Sequence, residues 1–245
     1  MPQAVDRYPA GQIKMHQVPQ QQIFGRGFGI QQGDGGYNSC KWFKSPVFLN
    51  IMKLYFASGN THKRDELSRI FKTHTIVIPS DEGIAFDPEE TEPTFLGNAL
   101  IKAKALYSLV GVPVLSDDSG ICVDALGGAP GVLSARFGCE KGQNLDAFEK
   151  NRLLLSRMEG KDNRSCRFVC SMVLYLSRDR FYSVQETLEG ILVTSAKGSM
   201  GFGYDPVVFL PAFGKTVAEL SPEEKDKCSH RGKAGMLIAK LLDSF

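Results

Sequence analysis

From residue 53 onward, short runs of consecutive apolar residues alternate with segments in which apolar residues recur every three or four positions. Short apolar runs at 53–57, 74–78 and 113–116 predict buried strands. Apolar residues three and four positions apart predict two helices, one that begins at Asn60 or Thr61 and one at 94–110. This alternation of strands and helices indicates an α/β domain.

The middle of the chain predicts a different arrangement of strands. Two long strands are predicted at 167–176 and 181–193, and the four polar residues 177–180 between them indicate a hairpin. A further short strand is predicted at 206–210. Because a hairpin joins antiparallel strands, whereas the first half resembles strand–helix–strand units, we expect a mixed sheet.

Helices are also predicted around and after this hairpin. One is expected at 145–158. The stretch Ser221-Pro222-Glu223-Glu224 combines an N-cap serine, a proline at the first helical position and a capping-box glutamate. A last helix is predicted at 233–242, with Met236 and Leu237 among its buried residues.

The first 51 residues lack this periodicity and are rich in Gln and Gly. We interpret residues 1–51 as a disordered N-terminal extension or a non-native leader, and residues 52–245 as the folded domain. A short partner-binding arm is the alternative, because this segment holds Trp42, Phe43 and Phe48.

The amino-acid composition limits the classes of function that this protein can have. The 245 residues carry 29 basic and 27 acidic side chains, a net charge of +2, so we expect no nucleic-acid surface and no membrane surface. The six cysteines form no CxxC pair. With no signal peptide and no apolar run of transmembrane length, a reduced, cytoplasmic protein is expected.

The first candidate cluster is Ser58-Gly59-Asn60-Thr61-His62-Lys63, between a predicted strand and a predicted helix. The free N–H groups of a helix start favour an anion, and Lys63 adds a positive charge one turn later. The cluster is therefore a candidate phosphate site. A plain capped turn remains the alternative.

The second cluster is Ser116-Asp117-Asp118-Ser119-Gly120, expected at the end of a buried strand. Two adjacent carboxylates need neutralisation, and hard oxygen ligands suit Mg²⁺. An acidic turn in solvent is the alternative. The acidic run 87–92 offers a further carboxylate, and Lys102 or Lys104 on the following helix a phosphate contact.

The last candidates lie in two late segments. The glycine-rich stretch 198–206 holds Phe202 and Tyr204, which are suited to stacking on a base. Lys225 and the segment Ser229-His230-Arg231 follow, and they add cations and hydrogen-bond donors. A strand turn and a helix junction are the alternative interpretations.

Together these segments resemble the inosine/xanthosine triphosphate pyrophosphatase (Ham1-like) family. The resemblance runs in family order through SGNTHK (58–63), EETEPTFLGNALIKA (89–103), SDDSGICVDALGGAPGVLSARF (116–137), GFGYDPVVF (201–209) and AELSPEEKDKCSHRGKA (218–234). Gly97, Leu133 and Met200 depart from the family pattern, and residues 1–51 have no counterpart in it.

The resemblance implies an elongated mixed β-sheet flanked by helices, with two lobes, a central nucleotide cleft and a homodimeric assembly. It implies that Asp118 is the catalytic carboxylate and a Mg²⁺ ligand, with Glu90 as second ligand or Glu89 in its place. The implied substrate-binding residues are Ser58, Gly59, Asn60, Thr61, His62, Lys63, Lys102, Ser119, Phe202, Gly203, Tyr204, Asp205, Lys225, His230 and Arg231.

The expected activity is hydrolysis of ITP, dITP and XTP to the monophosphate and pyrophosphate, which cleanses the nucleotide pool. Water, activated by a carboxylate or by the metal, is expected to attack the α-phosphorus. The alternatives are a Maf-type pyrophosphatase acting on other modified or pyrimidine nucleotides, and a non-catalytic nucleotide- or RNA-binding protein.

Overall fold

The structure, a computed structural model, describes residues 52–139 and 144–244. Residues 1–51, interpreted above as an extension, lie outside the described residues. The strands are β1 (Met52–Phe56), β2 (His74–Val77), β3 (Val114–Val123), β4 (Ser165–Ser177), β5 (Arg180–Leu192), β6 (Val208–Leu210) and β7 (Lys215–Thr216). The α-helices are α1 (Thr61–Ile70), α2 (Phe95–Val110), α3 (Ala147–Arg157), α4 (Pro222–Cys228) and α5 (His230–Leu242).

The described strands form one mixed sheet in the order β2-β1-β3-β4-β5-β6-β7. β1 pairs in parallel with β2 and β3, and every pairing from β3 to β7 is antiparallel. The predicted α/β class with a mixed, helix-flanked sheet is therefore confirmed. Across the described ranges, no helix is long and apolar enough to cross a lipid bilayer.

The strand that carries the acidic pair is longer than the sequence predicts. Instead of ending at 116, β3 continues to Val123 and pairs with β4 from Val114↔Tyr175 to Val123↔Cys166. Asp117 and Asp118 therefore lie within a paired strand and not beyond the end of one. Two carboxylates can lie in this buried strand because buried cations surround them. The hydrophobic pattern of the segment does not show those cations.

The hairpin is tighter and the late strand shorter than predicted. Ser177 pairs with Arg180, so the β4–β5 turn has two residues, Arg178 and Asp179, instead of four. Of the predicted strand 206–210, only β6 is extended, because Asp205–Val207 form a 3₁₀ turn.

The C-terminal helices differ from the predictions in the start of the last helix and in which of its residues are buried. The capping box at Ser221 is present, but the last helix begins at His230, with Ser229 as its N-cap, instead of at 233. Met236 and Leu237 are 37% and 42% exposed, so their predicted burial is wrong. The buried face is that of Ala234 and Ile238, because α5 packs this side against the sheet and α1.

Four apolar clusters hold the described sheet and helices together, and the two larger ones lie on either side of the acidic pair along β3. Leu115 belongs to the cluster under α1 and α5, and Ile121 belongs to the cluster under α3 and β6. Residues 116–120 of β3 lie between these clusters. Because successive strand residues point to opposite faces, Asp117 and Asp118 face different sides of the sheet.

Candidate functional site

One cleft of about 890 Å³ collects most of the side chains that the sequence singles out. Its volume is within the range of small-molecule sites. Its lining includes Ser58, Gly59, Asn60, Lys63, Glu89, Glu90, Lys102, Asp118, Ser119, Phe202, Gly203, Tyr204, Asp205, Lys225, His230 and Arg231. Within the described ranges, Thr61, His62 and Asp117 are not part of this lining.

The start of α1 forms one wall of the cleft. Asn60 caps the helix, and its Oδ1 accepts a hydrogen bond from the Lys63 N–H at 3.2 Å. Ser58 Oγ accepts one from the Asn60 N–H at 3.1 Å. These bonds fix the turn before α1, and this turn and the half-buried Lys63 line the cleft at the start of the helix, a position that favours an anion.

Asp117 is the buried member of the acidic pair. It is fully buried, and its carboxylate accepts from Lys63 Nζ at 2.9 Å and from Arg231 Nε at 3.0 Å. Burial acts to raise its pKa, but the charges of Lys63 and Arg231 outweigh burial and hold the pKa well below its usual range. Asp117 is thus an ionised counter-charge for two cations of the cleft.

Asp118 reaches the cleft on the other face of β3. Its Oδ1 accepts from Lys102 Nζ at 2.9 Å. Its Oδ2 is buried and has no hydrogen-bond partner within the part of the chain that the structure describes. Burial raises the pKa of this carboxyl, although the nearby Lys102 opposes the shift. Asp118 therefore presents a carboxylate oxygen that is free to bind a cation or to accept a proton.

Glu90 lies beside Asp118, because both carboxylates bind the same ammonium group. Lys102 Nζ is 2.7 Å from Glu90 Oε1, and Arg136 donates to Glu90 Oε2 at 3.2 Å. The neighbouring Glu89 is exposed, as is Lys104. Of the predicted alternatives, the geometry therefore favours Glu90 and Lys102.

This pair of carboxylates has the chemistry of a Mg²⁺ site. Mg²⁺ is usually held by one or two carboxylates together with substrate phosphates and water. Asp118 contributes a buried, unpartnered oxygen, and Glu90 a second carboxylate that shares its lysine. In the described residues, no group of three His, Cys, Asp or Glu side chains offers a denser metal site.

The glycine-rich segment is held by Asp205. Its Oδ2 accepts from the Phe202 N–H at 2.7 Å and from Lys225 Nζ at 2.6 Å. Gly201 has φ +75°, and a Cβ there would collide with the Asp205 carboxylate, so this turn requires glycine. The Phe202 ring stacks on the His62 ring at 5.2 Å, which explains why His62 lies beside the cleft wall instead of on it.

His230 and Arg231 occupy the first turn of α5. The His230 ring stacks on Phe168 at 4.9 Å, and its buried Nδ1 has no hydrogen-bond partner within the described ranges. Arg231 donates to Ser119 Oγ at 2.7 Å. Burial, and then the charges of Arg231 and Lys225, lower the pKa of His230 well below its usual value, so the imidazole is neutral at pH 7.

The neutral His230 should make the protein less stable in mild acid. Below pH 6.5 the unfolded chain binds a proton at this imidazole, whereas the folded protein does not. The stability of the folded state is therefore highest above pH 6.5 and decreases as the pH is lowered. We expect a loss on the order of 1 kcal/mol for the first pH unit below 6.5. Urea unfolding across this range should show a flatter pH dependence for His230→Gln than for wild type. Parallel curves for wild type and His230→Gln would contradict the assignment.

Sequence reasoning missed three residues that shape the cleft: Glu66, Arg136 and Phe168. Glu66 is 6% exposed and binds both Lys225 and Arg231. The only sequence signal for it is a carboxylate next to Leu67 on the apolar side of α1. The Tyr204 hydroxyl donates to the Ser134 carbonyl oxygen at 2.9 Å, and stacking of its ring on a base stays a prediction.

The fold and the cleft together define a class: a mixed-sheet α/β protein whose cleft joins a helix start, a carboxylate pair and several buried cations. Residues 54–241 match the model of the Ham1 family. The dITP/XTP pyrophosphatase of Treponema denticola is 53% identical over 191 residues, which cover 78% of this chain and 98% of that protein.

The solved structures that are similar to this chain include two Ham1 proteins. The Ham1 protein of Staphylococcus aureus is 32% identical with a TM-score of 0.70, over 78% of this chain and 98% of the other. The Ham1 protein of Coxiella burnetii is 32% identical with a TM-score of 0.72, over 79% and 100%. The chain belongs to the Ham1 family, as the resemblance in its motifs implies.

Proposed function

We propose that this protein hydrolyses ITP, dITP and XTP to the monophosphate and pyrophosphate, and so removes non-canonical purines from the nucleotide pool. The name of the Treponema denticola relative, dITP/XTP pyrophosphatase, supports this substrate class. The observation that carries the proposal is that Asp118, Lys63, Lys225 and Arg231 line one and the same cleft.

Asp118 and Glu90 are the proposed ligands of a Mg²⁺ cofactor. When bound, this ion supplies positive charge to the phosphate oxygens and acidifies a nearby water. The support lies in the shared Lys102 contact of the two carboxylates and in the unpartnered Asp118 Oδ2. Lys102 is then the proposed phosphate contact closest to this pair.

The proposed chemistry is an in-line displacement at the α-phosphorus. The Asp118 carboxylate takes a proton from water as the water oxygen forms a bond to phosphorus, and the bond from phosphorus to the bridging oxygen breaks. Pyrophosphate leaves with that oxygen. The start of α1 and Lys63 neutralise the charge that grows on the phosphate oxygens.

Recognition of the base is assigned to the other end of the cleft. Phe202 offers an aromatic face, while His230 and Arg231 offer donors for the 6-oxo group that hypoxanthine and xanthine share. Adenine carries an amino group at this position and would leave those buried donors unpaired, which is a strong basis for rejection.

The test is a nucleotide panel with dITP, XTP, dGTP and dATP, with Mg²⁺ or with EDTA. We expect pyrophosphate from dITP and XTP, at rates about a hundredfold above those of dATP, and no turnover in EDTA. Orthophosphate as first product, or equal rates on all four nucleotides, would remove the proposed role. Preference for pyrimidine nucleotides would favour a Maf-type activity, and binding without turnover a non-catalytic protein.

Assembly and location belong to the same proposal. We expect a cytoplasmic homodimer, which sedimentation at micromolar concentration and cell fractionation would test. The five described cysteines are free, as expected in a reducing compartment. Exposed apolar side chains such as Leu109 and Phe148 offer surface for a second copy.

A further inference from the structure

Glu66 is a buried carboxylate located between two cations of the cleft. It is 6% exposed on α1, and its Oε1 lies 2.7 Å from Lys225 Nζ while its Oε2 lies 2.7 Å from Arg231 Nη1. In the described part of the chain, Glu66 does not line the main cleft. It touches the two cations from behind, so it has no direct contact with a ligand in that cleft.

These contacts make Glu66 the central link in a row of alternating charges. The row runs Lys63, Asp117, Arg231, Glu66, Lys225 and Asp205, with neighbouring N–O distances of 2.9, 3.0, 2.7, 2.7 and 2.6 Å. Lys225 comes from α4 and Arg231 from α5. Within the described residues, Glu66 is the carboxylate that binds both of them.

The same two cations approach the aromatic wall. Lys225 Nζ lies 4.6 Å and the Arg231 guanidinium carbon 5.7 Å from the centre of the Phe202 ring. Two like charges this close to one ring repel each other unless a negative charge lies between them. A shift of about 1 Å in such groups is enough to weaken a recognition site severely.

We propose that Glu66 is a positioning residue that sets Lys225 and Arg231 at the spacing needed to grip the nucleotide beside Phe202. The inference rests on the proposed function, because it takes the nucleotide as the ligand of these cations. Glu66 acts through its two partners and takes no part in the proton transfer at Asp118. Its loss should therefore weaken binding more than turnover.

The test is Glu66→Gln, which keeps the size of the side chain but removes its charge. We expect the KM for dITP to rise about tenfold and kcat to change less than about threefold. The Kd for inosine monophosphate in EDTA, measured by calorimetry, should rise by a similar factor. Glu66→Asp keeps the charge but is too short to reach both cations, so its KM and Kd should fall between those of wild type and Glu66→Gln.

Asp226→Asn is the matched control. Asp226 on α4 binds Arg69 on α1 at 2.7 and 2.9 Å, so this variant also cuts an α1–α4 ion pair, but one outside the main cleft. Its KM and Kd should equal those of wild type. Equal binding by Glu66→Gln and wild type overturns the proposal, and so does an equal loss in Asp226→Asn. If Glu66→Gln does not fold, wild-type binding by Glu66→Asp overturns it. Failure of wild type to release pyrophosphate from dITP instead defeats the proposed function.

Discussion

Asp118→Asn should lower kcat for dITP about a thousandfold, which corresponds to about 4 kcal/mol of lost transition-state stabilisation. The amide cannot take a proton from water, and it is a weaker ligand for a hard cation than a carboxylate. The start of α1, Lys225 and Arg231 still hold the substrate, so KM should change less than about tenfold. Steady-state pyrophosphate release over a range of dITP concentrations measures both constants.

The control for this experiment is Asp124→Asn. Asp124 directly follows β3, but its carboxylate is at the surface, where it binds Arg167 at 2.8 Å. This variant should keep wild-type kcat and KM, because Asp124 is not part of the cleft lining in the described residues. A near-normal kcat for Asp118→Asn would show that the catalytic assignment is wrong.

Asp117→Asn should strongly reduce the stability of the folded protein. The buried Arg231 and the half-buried Lys63 would lose the negative charge that they share, and breaking a buried ion pair on one side costs about 3–5 kcal/mol. Urea unfolding at pH 7 measures this loss. Asp124→Asn again serves as control, and we expect it to cost less than about 1 kcal/mol because its ion pair is solvent-exposed.

The same variant has a distinctive pH dependence. The pKa of Asp117 is lower in the folded protein than in the unfolded chain, so its stabilising effect is complete above about pH 4 and is lost as the pH falls further. The stability gap between wild type and Asp117→Asn should therefore narrow in acid. A gap that stays constant from pH 7 to pH 3 would mean that the ionised carboxylate is not what stabilises the fold.

Most secondary-structure elements of this protein can be predicted from local patterns. Asn60 and Ser221 cap helices where their side chains suggest, and α2 follows its apolar spacing closely. The errors lie where distant contacts decide. The apolar run predicts a strand that ends at 116, but β3 continues through Asp117 and Asp118 because β4 pairs with its whole length.

In the candidate cleft, too, local patterns identify many residues but miss those whose position depends on distant contacts. Motifs and family resemblance indicated most of its lining, including Asp118, Lys102 and Arg231. The resemblance singled out Asp118, but no local pattern indicated that Asp117 lies on the other face of β3 as a counter-charge for Lys63 and Arg231. Glu66 was missed because its partner Arg231 is 165 positions away in the sequence, and no local pattern reports such a contact.

The row of charges from Lys63 to Asp205 also limits the order in which the parts of the chain can fold. Its members come from the beginning, middle and end of the folded domain, and the Asp117–Arg231 pair spans 114 residues. A nascent chain that has emerged only as far as β4 carries Asp117 without Arg231. Contacts this distant in sequence form late, so we infer that the cleft matures only once the ribosome has released α5.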